Sequence, residues 1–232
     1  MNILITPPEQ HFDKGLGISA WHFRDAAKAL KESDISRDLV SPICYVQRHA
    51  IELYLKSLIY ILHKKYDIPF GDDFNLEKPA ICVHGKWKSL SNTHNLADLY
   101  SYFLSIFNDC RNLLPERTDW TIDPDLTAQI NLISGFDPKS TYFRYPEATN
   151  KQQDLKKSTV QPIDLGENLE KFRATTDSPI KCSIMLDSND NIVATYDLTP
   201  NPIENVRGAL DKAIDYINNL HCAFLGEITK WS

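Results

Sequence analysis

From Pro42 to Tyr66 the chain reads PICYVQRHAIELYLKSLIYILHKKY, with neither Gly nor a further Pro to interrupt a helix. Ser41 as N-cap and Pro42 at the first helical position predict a helix of about seven turns. At helical spacing Cys44, Ile51, Tyr54, Leu55, Leu58 and Leu62 share one apolar face, and Val46, Leu53 and Tyr60 share a second, nearly opposite. A helix apolar on two sides is central to its domain, or faces the core on one side and a partner subunit on the other.

The same periodicity predicts four more helices. Ser19 to Ser33 carries Trp21, Ala26, Ala27 and Leu30 after a serine cap. Thr93 caps a run in which Leu96, Leu99, Tyr100, Phe103, Ile106, Phe107 and Cys110 recur at spacings of three and four. Asp123 to Gly135 opens with Asp-Pro and closes with Gly, the punctuation of a short helix. Pro202 to Lys230 forms a long closing helix through Ile203, Val206, Leu210, Ile214, Ile217, Leu220, Phe224 and Ile228.

The segments between are richer in turn residues. A Pro-, Gly- and Asp-rich loop follows Tyr66, with a short strand expected at Ala80 to Val83. Ile180 to Leu186 and Ile192 to Leu198 flank an Asp-Ser-Asn-Asp-Asn turn and predict a β-hairpin. The polar stretch before it, including NKQQDLKKS, is expected to be a solvated loop. The fold class is therefore mainly α, a helical bundle with a small β-hairpin insertion. Residues 1–232 are expected to form a single domain, with the loop and hairpin inserted at about 148–200.

Composition narrows the function. A net charge of -6 excludes a broad cationic surface for nucleic acid, since that mode needs many Lys and Arg, but leaves room for a local basic site. The five cysteines are scattered without close pairs, as in reduced cytoplasmic thiols. No run approaches the roughly 18 apolar residues of a membrane helix, and the N-terminus lacks the basic start of an export signal, so a cytoplasmic protein without membrane attachment is expected. Phosphate-cradling glycine loops and nucleophile elbows are absent, and Cys82, His84 and His94 lack a well-spaced fourth zinc ligand. No cofactor or metal is implied.

Candidate chemistry lies on the long helix. Arg48, Glu52 and Lys56 are spaced by four, with His49 at the edge of their stripe. One reading is an ion-paired ladder facing solvent. The other is a polar groove in which Arg48 and Lys56 hold an anion and Glu52 orients them. The aromatic stretch TYFRYP, Thr141 to Pro146, either plugs the bundle with Arg144 paired to Asp137 or Glu52, or offers Tyr142, Phe143 and Tyr145 for stacking on unpaired bases. His94 either caps its helix together with Thr93 or contributes to a site.

SPICYVQRHAIELYLKSLI, THNLADLY and FDPKSTYFRYPEA, in that order, resemble prokaryotic members of the HEPN superfamily. The matching features are an Arg-His-x-x-Glu-Leu-x-Leu-Lys helix, a later His-Asn-Leu and a Phe-Arg-Tyr-Pro stretch, spanning most of Ser41 to Ala148. The resemblance implies an up-and-down bundle that dimerises, with roles in RNA cleavage, toxin–antitoxin pairs and antiviral defence. Many members are metal-independent ribonucleases with an Arg-x(4–6)-His motif near the last helices. None of the eight arginines here has a histidine at that spacing.

A replacement site would draw a general base and acid from His49 and His94, and a cation for the phosphorane from Arg48, Lys56 or Arg144. Three functions are thus expected: a ribonuclease with a rearranged site, a non-catalytic module binding RNA, a nucleotide or a partner such as an antitoxin, or a dimerising structural component. A homodimer is expected in each.

Overall fold

The computed structural model describes residues 7–36, 39–71, 73–145 and 203–230, and between the last two spans 154, 157–158, 160–164, 166, 170 and 182–198. The chain separates into two compact units, Met1–Tyr145 with Val206–Ser232, and Pro146–Asn205.

The first unit is mainly helical: α1 (Leu16–Glu32), α2 (Val40–Tyr66), a hairpin of β1 (Ala80–Val83) and β2 (Lys86–Ser89), α3 (Leu96–Asp109), α4 (Pro124–Phe136) and α5 (Ile203–Phe224). A π-type turn, Leu225–Thr229, prolongs α5. Of the two roles open to α2, the central one is realised, with Ile51, Leu55, Leu58, Ile59 and Ile61 all fully buried. Tyr60, on the second apolar face, is itself buried and donates to the Leu76 carbonyl at 3.2 Å. Phe103 and Phe107 of α3 meet Phe224 of α5, with ring centroids 6.2 and 6.1 Å apart, and Trp120 closes the cluster.

Several local expectations are corrected. α1 begins three residues before Ser19, because the Asp13 carboxylate accepts from the Gly15 and Gly17 amides and caps the helix from outside it. Its buried residues are Gly17, Ala20 and Ala27, while Trp21 is 43% exposed. Small side chains face the core there because α1 packs closely against its neighbours.

Ser41 is already inside α2, and its hydroxyl donates to the Phe143 carbonyl at 3.2 Å. Asn95 rather than Thr93 caps α3, accepting from the Asp98 amide at 3.0 Å. Asp123 caps α4 as expected. The strand at Ala80–Val83 has an unanticipated partner in Lys86–Ser89, joined through His84 and Gly85 at φ 51° and 74°. Two successive left-handed residues make the tight turn whose twist suits a hairpin.

In the second unit β3 (Val160–Pro162), β4 (Cys182–Leu186) and β5 (Ile192–Leu198) form an antiparallel sheet of order β3-β5-β4. Its β4–β5 hairpin turns at Asp187, whose carboxylate accepts from the Asn189 and Asn191 amides. Most of the expected polar loop, with Ile180, Pro146 and Pro202, lies outside the described residues. Among those described, no helix is long and apolar enough to cross a membrane.

Candidate functional site

The polar stripe of α2 is buried and saturated. Arg48 is fully buried, and its Nη1 donates to Glu52 Oε2 at 2.9 Å. Its Nη2 reaches the His94 and Asp137 carbonyls at 2.6 and 3.2 Å, and its Nε lies 3.2 Å from Asp137 Oδ2. Arg48 thus joins α2 to the loop before α3 and to the loop after α4. Asp137 in turn accepts from the Thr141 and Tyr142 amides at 2.6 and 3.0 Å, so the same carboxylate shapes the aromatic stretch.

Glu52 takes the other half of the network. Its Oε1 accepts from Lys56 Nζ and pairs with His94 Nδ1, each at 2.9 Å. Lys56, also buried, donates on to the Ser91 carbonyl at 3.3 Å. Burial pushes the Glu52 carboxyl upward, but Lys56, His94 and Arg48 outweigh it and hold the group below the usual glutamate range. An ion pair so enclosed organises the loops around it, and its cations already face carboxylates and carbonyls. Neither the solvent ladder nor the anion-holding groove describes this stripe. Arg48 and Lys56 are structural cations.

His94 is different. Its side chain is 51% exposed while Nδ1 is fixed on buried Glu52. That arrangement orients the ring on a carboxylate and directs its opposite edge toward solvent. Its helix-capping reading is replaced by this dyad.

A second group of side chains is assembled on the outer side of α2. His49 meets the edge of Phe23 at 4.6 Å and stacks on Tyr45 at 6.0 Å between centroids. The Arg144 guanidinium lies 5.6 Å from the Tyr45 ring centre and 5.5 Å from that of Tyr145. Tyr145 is 50% exposed, and Arg144 is exposed, while Tyr45, His49 and Phe23 are half-buried. The Ser41 hydrogen bond to Phe143 holds this loop against the start of α2.

The aromatic stretch therefore divides. Tyr142 is 1% exposed and packs edge-on against Phe136 and Phe143, so it supports the loop from within and offers no face to a base. Tyr145 and Arg144 point the other way. Arg144 pairs with neither Asp137 nor Glu52, because Arg48 occupies both carboxylates.

Burial first, then the cations Lys56, Arg48 and Arg144, lower the His49 pKa, while Glu52 opposes them. His49 is accordingly neutral near pH 7, leaving Arg144 as the charge of this aromatic group. Sequence reasoning missed Tyr45 and Phe23, which lie four and 26 positions before His49; the four-residue spacing of Tyr45 and His49 was a visible signal. It also missed Asp13, Ser57 and His221, a buried trio drawn from three separate segments. In comparisons with family models, curated proteins and solved structures, nothing matches this chain.

Proposed function

We infer that the chain is a HEPN-like helical module that binds unpaired RNA through Phe23, Tyr45, His49, Arg144 and Tyr145. The observation that carries this reading is the Arg144 guanidinium within 5.6 Å of the ring centres of both Tyr45 and Tyr145. Planar cations and aromatic rings at a surface accept bases by stacking without selecting a sequence, and the guanidinium can also hold a phosphate. The acidic net charge fits a local contact of this kind, with few phosphates neutralised.

The test is fluorescence anisotropy with a short labelled single-stranded RNA and its duplex. Preferential binding of the single strand, with a shallow dependence on salt, is expected. A duplex bound equally well would reject base stacking as the basis of recognition.

A second reading is a metal-independent ribonuclease, and the Glu52–His94 dyad favours it. An exposed imidazole backed by a carboxylate suits proton transfer at a 2'-hydroxyl. Its test is cleavage of total RNA in EDTA beside His94→Ala. Cleavage lost in the variant supports it, and an inert wild type leaves the binding module.

A further inference from the structure

A cavity of about 450 Å³ lies along α1 and α5, with His221, Arg24, Trp21, Tyr54, Asn218 and Leu225 among its walls. The two helices are antiparallel. Gly17, near the start of α1, approaches His221 near the end of α5, while Arg24 pairs with Asp215 farther along. A volume of this size belongs to the range of small-molecule sites.

One end of the cavity is built around a buried relay. Asp13, Ser57 and His221 are 5%, 0% and 4% exposed. The Asp13 carboxylate accepts from the amides of Gly15 and Gly17 at 3.1 and 2.7 Å and from the Ser57 hydroxyl at 2.5 Å. Ser57 Oγ lies 2.8 Å from His221 Nε2.

The serine proton is committed to the carboxylate, so the serine oxygen accepts and His221 Nε2 donates. That contact leaves Nδ1 as the other polar atom of a ring that forms part of the cavity wall. Gly17 is the residue that admits the ring, since a Cβ there would lie 2.3 Å from it. Burial raises the Asp13 pKa, yet His221, Ser57 and the Gly17 amide bring it down to about 2, leaving a fixed negative charge at this end.

Arg24 stands seven residues beyond Gly17, about 10 Å farther along α1. Its partners Asp25 and Asp215 are both exposed, at 3.6 and 3.1 Å, and such pairs rearrange at little cost. The cavity thus has an imidazole at one end and a cation at the other, with Trp21 and Tyr54 among its aromatic walls. A single ring with a polar group on each side spans that distance. The Asp13 charge keeps an anion away from the His221 end.

We propose that this cavity binds a small aromatic acid bearing a hydroxyl opposite its carboxylate, with the hydroxyl on the His221 imidazole, the ring beside Trp21 and Tyr54, and the carboxylate on Arg24. The site is independent of RNA binding.

The probe is para-hydroxybenzoate, titrated into the full chain with isotope-labelled histidine and followed by the His221 ring resonances. Saturable shifts are expected, with benzoate and phenol each binding roughly ten-fold more weakly, as loss of one hydrogen-bonded group implies. Arg24→Gln is expected to reduce para-hydroxybenzoate to the level of phenol and leave phenol unchanged. Because Gly17→Ala displaces a buried ring and also threatens the fold, the half-exposed Arg24 variant carries the test. Absence of a saturable shift at millimolar probe, benzoate binding as tightly as the hydroxy acid, or an indifferent Arg24→Gln would each overturn the proposal.

Discussion

Arg48 Nε lies 3.2 Å from Asp137 Oδ2, and this ion pair links the middle of α2 to the loop that presents Arg144. Glu52 lies on the other side of the same guanidinium. Arg48→Ala would leave two buried carboxylates without their shared cation. Such a loss costs about 3–5 kcal/mol. Urea unfolding of the variant checks this, and a change below about 1 kcal/mol would show that the network does not hold the loops.

Tyr142 and Tyr145 make a contrasting pair within one short stretch. Tyr142 is 1% exposed, so Tyr142→Ala is expected to cost about 3–5 kcal/mol, as truncating a buried aromatic does. Half-exposed Tyr145 should lose less than about 1 kcal/mol on the same change while RNA binding weakens. Parallel thermal melts and anisotropy titrations separate the two roles; equal stability losses would contradict the division.

The pH dependence follows from groups held in their ionised or neutral forms. Asp13 titrates at about 2 in the fold against an ordinary value of 3.8. Its contribution, on the order of 2 kcal/mol, is therefore complete above pH 3.8 and disappears as pH falls toward 2. Glu52 acts in the same direction.

Burial also lowers the pKa values of His49 and His63, so these residues are neutral in the fold and contribute stability above pH 6.5. That stability is lost as pH falls from 6.5 through their folded values. Unfolding free energy measured across this range should begin to fall just below pH 6.5, with a shallower slope in His49→Gln. An unchanged slope in that variant would remove His49 from the account.

Much of the helical framework was readable because apolar spacing reports directly on burial. Every residue of the α3 series, Leu96 through Cys110, is buried, and α5 follows its expected spacing with Leu220 half-buried. Helix starts were less legible. Asp13 caps α1 through a left-handed Gly15, and Asn95 displaces Thr93 at α3, choices set by loop geometry rather than periodicity.

The site was legible as residue types but not as partners. Arg48, Glu52, Lys56 and His94 do converge, yet spacing along α2 could not reveal that the His94 and Asp137 carbonyls would saturate Arg48. Nor could it show Tyr142 turning inward while Arg144 turned toward Tyr45. Asp13, Ser57 and His221 meet only through tertiary packing across separations of 44 and 164 residues.

The most direct measurement is the affinity of the full chain for labelled single-stranded RNA, compared between wild type, Arg144→Ala and Tyr45→Ala of matched thermal stability. Stacking at this aromatic group predicts a loss of roughly ten-fold or more in each variant, in keeping with about 1–3 kcal/mol per stacked base. Wild-type binding that both variants retain in full would contradict the assignment of this surface to RNA.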